Sequence, residues 1–176
     1  MFIGIRTKKQ TVLSSPAENL EKKRTTVLEH SGAQGLMAFT PAQREPLKII
    51  LDSNALFVPL QFKIDIFNDL QRLLNRNFEW ILLSPVKREL EALAERGSPK
   101  MRKNASYALK LAEKCKYVEV SASASAPTDD VIVKIAKEWG FPVFTNDRQL
   151  KKRLRDISVP VIYVRQKSRL EIDGMI

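Results

Sequence analysis

Cysteine and histidine are almost missing from this 176-residue chain. Cys115 is the only cysteine, which excludes an intramolecular disulfide and any Cys-rich zinc module. His30 is the only histidine and sits outside the patterned part of the sequence, so imidazole-based hydrolysis and histidine-ligated zinc chemistry are not expected. Glycine is also scarce where it would matter. Only Gly97 and Gly140 fall between Leu47 and Val164, so there is no glycine-rich loop to cradle a phosphate. Long apolar runs are absent too: Ile49-Ile50-Leu51 and Trp80-Ile81-Leu82-Leu83 are far too short to span a bilayer. The start, Met1 to Arg6, lacks the apolar stretch and small-residue cleavage site of a secretory signal. The expectation is a soluble, cytoplasmic protein with no membrane partner.

Positive charge is what the chain has in excess. Thirty Lys and Arg stand against 20 Asp and Glu, for a net charge of +10. Hydrophobic residues at 44% and charged residues at 28% are ordinary for a globular domain, so the surplus speaks of partners and not of fold. A polyanion, most often a nucleic acid, is the physical match. A generally basic surface with no partner is the competing reading.

Residues 1–46 differ from the remainder, with seven basic and four acidic residues and no sheet-like run. They are expected to form a basic, loosely held arm. Within it Ser15-Pro16-Ala17-Glu18 has capping-box spacing with proline at the first helical position, which predicts a short helix to about Glu29. Both Met1 and Met37 stand as possible starts, since the globular pattern begins soon after Met37.

From Leu47 the chain alternates short strands and helices. Strands are predicted at 48–51, 80–83, 117–120, 143–145 and 161–164. Helices are predicted at 64–74, from Ser84-Pro85 onward, at 100–114, at 128–139 with Thr128 as cap and Gly140 as stop, and at 148–156. Ser121 to Pro127, nearly all Ser and Ala, is a loop. Short apolar strands separated by helices imply an α/β domain over 47–165, its mostly parallel sheet of about five strands covered on both faces; 166–176 remain as a tail. Ligands of such sheets bind beyond the carboxyl ends of the strands.

Acidic residues gather where that rule points. Asp52 follows the first strand directly, and Asp147 follows Val143-Phe144-Thr145-Asn146. Helix N-capping competes as an explanation for both. Glu89 shares the inward stripe of its helix with Val86, Leu90 and Leu93, where a carboxylate is costly unless it is paired or binds a metal. A buried ion pair with a nearby Lys or Arg is the alternative. Asp129 lies on the face of Ile132 and Ala136, while Asp130 turns about 100° away. Compensation of the helix N-terminus explains acids in a first turn, though not one on the inward face. Asp129 is therefore the expected ligand and Asp130 a secondary one. Several carboxylates in one cleft cannot all ionise without a cation, and all-oxygen ligation suits Mg²⁺ or Mn²⁺.

These residues resemble the motifs of PIN-domain nucleases. Ile50-Leu51-Asp52-Ser53-Asn54 and Ser84-Pro85-Val86 with Glu89-Leu90 resemble the first two. Thr128-Asp129-Asp130 with Ile132 and Ala136, then Val143-Phe144-Thr145-Asn146-Asp147, resemble the last two. The ordered set covers about residues 47–165. The run from Thr145 to Leu154, followed by Val159 to Val164, is similar to the branch related to the small-subunit processome endonuclease of ribosomal RNA maturation. VapC-type toxins share overlapping motifs. No zinc ribbon follows the domain, so PIN endonucleases carrying one match less well. The resemblance implies a PIN-like three-layer α/β/α fold and a Mg²⁺- or Mn²⁺-dependent endoribonuclease, a hydrolase. It implies that Asp52, Glu89, Asp129 and Asp147 hold the metal, with Asn54 and Thr145 supporting them by hydrogen bonds. A homodimer is a further expectation of the resemblance.

Cations flank these segments. Arg148, Lys151, Lys152, Arg153 and Arg155 crowd the helix after Asp147, opposite its stripe of Leu150, Leu154 and Ile157. Arg165, Lys167 and Arg169 continue beyond the last strand. Arg96, Lys100, Arg102 and Lys103 cluster in the connection after Glu89's helix. A solvated face explains any one cluster alone. Two clusters beside the acidic cleft suggest phosphate contacts with RNA, among them Arg148, Lys151, Lys152, Arg153, Arg155, Arg102 and Lys103. Three functions compete: a ribonuclease of ribosomal RNA processing, a toxin ribonuclease held by an antitoxin, and an RNA-binding assembly module with an idle site.

Overall fold

Five of the short apolar runs line up in parallel. They are Leu47–Leu51 (β1), Phe78–Leu83 (β2), Lys116–Val118 (β3), Val143–Phe144 (β4) and Val161–Arg165 (β5). The computed structural model describes residues 45–121 and 126–176. The helix expected at 15–29 and residues 122–125 of the Ser/Ala loop lie outside the described residues. Ile49, Ile50 and Leu51 of β1 are all fully buried although successive side chains point to opposite faces. Both faces at the centre of the sheet are therefore covered, as the unbroken apolar run requires.

A sixth strand, Arg169–Asp173 (β6), pairs antiparallel with β5 and completes the order β3-β2-β1-β4-β5-β6. The expectations of about five strands and of a tail over 166–176 are corrected here. The connecting turn is the reason. Gln166 and Lys167 both adopt left-handed backbone, at φ 51° and 57°, without the glycine or Asn-Gly pair that normally marks such a hairpin. Side chains hold it instead: Tyr163 Oη donates to Glu171 Oε1 at 2.8 Å, and Arg165 reaches the same carboxylate at 2.6 Å.

Six α-helices connect the strands: Val58–Phe62 (α1), Ile66–Leu74 (α2), Ser84–Arg96 (α3), Pro99–Ala112 (α4), Thr128–Trp139 (α5) and Arg148–Asp156 (α6). Residues 53–62, for which no element was expected, form a 3-10 turn, Ser53–Phe57, running into α1. The helix expected from Ile64 starts at Ile66, because Asp65 caps it by accepting from the amides of Phe67 and Asn68. Leu73, placed in its buried stripe by periodicity, is 42% exposed. Thr128 is the first residue of α5 rather than its cap, and Pro127 takes the cap position without a side-chain hydrogen bond. Gly140 ends α5 as expected, at φ 67° with its amide on Ala136 O. Only Gly97 and Ser98 separate α3 from α4, so Lys100, Arg102 and Lys103 ride on the first turns of a helix and not in a loop. No described helix is long and apolar enough to cross a membrane.

From β1 the chain builds outward to β2 and β3, then returns to place β4 on the other side of β1. The β1–β4 boundary is thus the point where the winding reverses, and the carboxyl ends of the strands there are where such sheets bind ligands.

Candidate active site

Asp52 ends β1 and Asp147 follows β4, so both stand at that reversal point. Asp52 is only 2% exposed. It occupies the cap position of the 3-10 turn but makes no capping hydrogen bond, so N-capping does not explain it. Its Oδ2 instead accepts from Thr145 Oγ1 at 2.6 Å. Thr145 is fully buried, and its Oγ1 also accepts the Asp147 amide at 3.0 Å. One hydroxyl therefore ties the ends of β1 and β4 together. Burial pushes the Asp52 carboxyl up to about 6; the Thr145 bond opposes the rise, and the charges of Asp129 and Glu89 add to it.

Asp147 does cap α6, accepting the amides of Gln149 and Leu150 on Oδ1, both at 2.8 Å. Capping and site membership are compatible, because the bonds use one oxygen and leave the other. Glu89 is half-buried between the fully buried Val86 and Leu90 on α3. Among the described residues it has no cationic partner, and its Oε1 accepts from Ser53 Oγ at 3.1 Å. Ser53 Oγ also lies 3.5 Å from Asp52 Oδ1, so its one hydrogen, given to Glu89, stands between the two acids. Asp129 is half-buried in the first turn of α5. Burial raises its pKa, the Asp147 and Asp130 charges raise it further, and Arg153 pulls it down.

Asp130 is engaged differently. It is exposed, and its Oδ1 takes the Arg153 guanidinium at 2.6 Å, across from α5 to α6. Asn54 supports the site indirectly: its Oδ1 accepts the Asn146 amide at 3.4 Å, and Asn146 Oδ1 accepts the Val164 amide at 2.8 Å. Sequence reasoning missed Ser53 and Asn146. Each stands two residues past the end of an apolar strand, and its hydrogen-bond partner, Glu89 or Val164, is remote in sequence.

The expected RNA-contacting cations divide. Arg153 pairs with Asp130 and Arg155 with Asp173, while Lys151 sits 4.3 Å above the Tyr163 ring with its ammonium held below the ordinary range by burial. Arg148, Lys152, Arg102 and Lys103 are exposed and carry no ion pair among the described residues.

Among the described residues no three Asp, Glu, His or Cys side chains converge closely enough in this conformation to hold an ion. The acids are coupled through their charges but not clustered. Their chemistry still fits a hard divalent cation: four carboxylates, each with an oxygen not engaged in capping, and two held above the ordinary carboxylate range.

Comparison with known proteins agrees with this architecture. The family model described as "PIN like domain" matches residues 49–167. Ribonuclease VapC4 of Methanocaldococcus jannaschii is 38% identical over 130 residues, covering 73% of this chain and 98% of that protein. The rRNA-processing protein FCF1 of Saccharomyces cerevisiae is 29% identical over 167 residues, covering 91% of this chain and 84% of that protein. The solved structure of the PIN domain endonuclease Utp24 superposes with a TM-score of 0.63 at 27% identity, over 74% of this chain and 94% of that one. A motif set, carboxylates placed at the reversal point of the sheet and a matching family model converge: this chain belongs to the PIN-like domain family.

Proposed function

We propose that this protein is a divalent-metal-dependent endoribonuclease acting through Asp52, Glu89, Asp129 and Asp147. The observation that carries the reading is the hydroxyl-supported carboxylate set: Thr145 joins Asp52 to the start of α6, and Ser53, next to Asp52, donates to Glu89. A bound Mg²⁺ or Mn²⁺ would supply Lewis acidity, lowering the pKa of a water and neutralising charge at the scissile phosphate. The protein's own part is positional. Thr145 and Ser53 orient the carboxylates of Asp52 and Glu89 on rigid strand and helix ends, and Asn54 and Asn146 hold the β4–α6 turn that presents Asp147. Arg148 and Lys152 offer exposed charge for phosphates beside that turn.

For the RNA, we favour a ribosomal precursor. The likeness to FCF1 covers 91% of the chain and so reaches well into residues 1–44, whereas the VapC4 match covers 73% of the chain. The higher identity to VapC4 supports a second reading, a toxin ribonuclease restrained by an antitoxin, and a homodimer suits either. The domain division we propose is a basic segment over 1–46 ahead of the PIN unit. Incubation of the full chain with defined RNAs and Mn²⁺, with and without chelator, tests the nuclease. Cleavage that chelator or Asp52→Asn abolishes is expected; equal cleavage by wild type and variant would sink the assignment. Growth arrest on expression, relieved by a small co-expressed partner, would select the toxin reading.

A further inference from the structure

The outer face of α4 carries a charge pattern that the carboxylate site does not use. Its inner face, Ala105, Ala108 and Ala112, is buried, and the helix packs on α3 and on the Ser53–Phe57 turn beside Asp52. On the opposite side Lys100, Lys103, Tyr107 and Lys110 recur at spacings of three and four residues, which sets them in one stripe along successive turns. All four are exposed, and the stripe runs for about 15 Å at the α-helical rise.

The stripe is uncompensated. No acid occurs between Glu95 and Glu113, and none of its lysines joins an ion pair among the described residues. Some other surface cations are paired: Lys87 and Arg88 of α3 with Glu91 and Glu119, and Arg153 and Arg155 of α6 with Asp130 and Asp173; what sets α4 apart is a row of cations with no acid on the same helix. Like charges three residues apart repel, so the pattern favours an anionic partner with regularly spaced charge. Tyr107, 41% exposed in the middle of the row, adds a flat apolar ring between the ammonium groups. Cations tracking a backbone with an aromatic ring between them are how proteins grip single-stranded nucleic acid. A base inside a duplex has no free face to offer that ring. A membrane surface fits poorly, because helices that bind one turn a broad apolar face outward, whereas the alanine face of α4 is buried in the core.

We infer that the Lys100–Lys103–Tyr107–Lys110 stripe binds a single-stranded segment of RNA, the lysines on phosphates and Tyr107 stacked on an unpaired base. This rests on the reading of RNA as the substrate and adds a second contact surface for it, on α4 and apart from the carboxylates.

The test uses the full chain in chelator, so that nothing is cut, with a labelled, unstructured RNA of about 16 nucleotides. A duplex of equal length serves as the second probe. Binding is followed from roughly 50 to 200 mM salt. Lys100→Gln with Lys110→Gln is expected to reduce the slope of log affinity against log salt by about 1.4, at about 0.7 per single-strand phosphate contact. Tyr107→Ala should weaken single-strand binding about 5- to 100-fold with the slope unchanged, and Tyr107→Phe should restore it. Neither tyrosine variant should alter duplex binding. Single-strand affinity and slope equal to wild type in both variants would overturn the inference, as would an equal loss on duplex. So would binding of acidic vesicles or an acidic peptide in place of RNA. A parallel Mn²⁺ cleavage assay separates the two claims. Cleavage with unaffected variant binding removes the stripe alone; absent cleavage with the expected binding changes removes the nuclease and keeps the stripe.

Discussion

Replacing Asp52 with asparagine should make the metal-free protein more stable while abolishing cleavage. The carboxyl lies in the interior, 2% exposed, and its pKa is pushed from 3.8 to about 6 by burial and by Asp129 and Glu89. Below about pH 4 the folded and unfolded chains both hold the proton, and the fold carries no buried charge. As pH rises from about 4 to 6 the unfolded chain releases its proton first, so stability falls; above about 6 the loss is complete. A shift of roughly two pKa units corresponds to about 3 kcal/mol at neutral pH. Asparagine keeps the shape and an acceptor for Thr145 but carries no charge, so Asp52→Asn should recover about 2–3 kcal/mol there. For a domain of this size that raises Tm by roughly 6–15 °C. The assay is thermal unfolding in chelator from pH 4 to 7.5. The gap between variant and wild type should open as pH rises and nearly close at the acid end. Adding Mn²⁺ should raise the wild-type Tm by mass action and leave the variant almost unmoved. A variant that melts at or below wild type at pH 7.5, or a gap that does not change with pH, would refute the reasoning.

Thr145→Val fills the same space without the hydroxyl, stranding Asp52 Oδ2 and the Asp147 amide. It should cost about 2–4 kcal/mol in urea unfolding and weaken metal-supported cleavage about 10- to 100-fold. A stability loss under about 0.5 kcal/mol would show that the hydroxyl link is not made. Asp130→Asn breaks an exposed ion pair with Arg153, so it should change stability by less than about 1 kcal/mol. It should leave cleavage within a few-fold of wild type, whereas Asp129→Asn removes it; equal loss in both would return Asp130 to the metal site. Gly140→Ala forces a side chain onto backbone at φ 67° in open space, for a purely conformational cost of about 1 kcal/mol. Unchanged urea unfolding would contradict that cap.

The parts of this molecule that could be read from sequence were those where one physical demand dominates. Ile49-Ile50-Leu51 must be interior on both faces, which gives β1, and the acid after it falls at a strand end by construction. Glu89 stood out because a carboxylate between Val86 and Leu90 breaks the periodicity. What escaped depends on partners distant in the chain. The Gln166-Lys167 turn has no local glycine signal and is held by Glu171 reaching back to Tyr163 and Arg165. The pairing of Arg153 with Asp130 crosses from one helix to another, so each looked available for RNA or metal when read alone. Ser53 shares its hydrogen bonds with Glu89, 36 residues away, and nothing in its immediate neighbours announces that.

Thr145 carries a last consequence, which concerns how many oxygens each acid can lend. A hydroxyl has a single hydrogen, and here it is committed to Asp52 Oδ2 while its lone pair receives the Asp147 amide. Asp147 in turn spends Oδ1 on two amides of α6. Each of these carboxylates would therefore meet the proposed ion through one oxygen, which would leave the remaining positions around it to other ligands. Single-oxygen contacts with retained waters suit a small octahedral ion such as Mg²⁺ or Mn²⁺, whereas Ca²⁺ prefers a cage that includes two-oxygen carboxylates. On the proposed function, a preference between cations would follow from the direction of one threonine's proton.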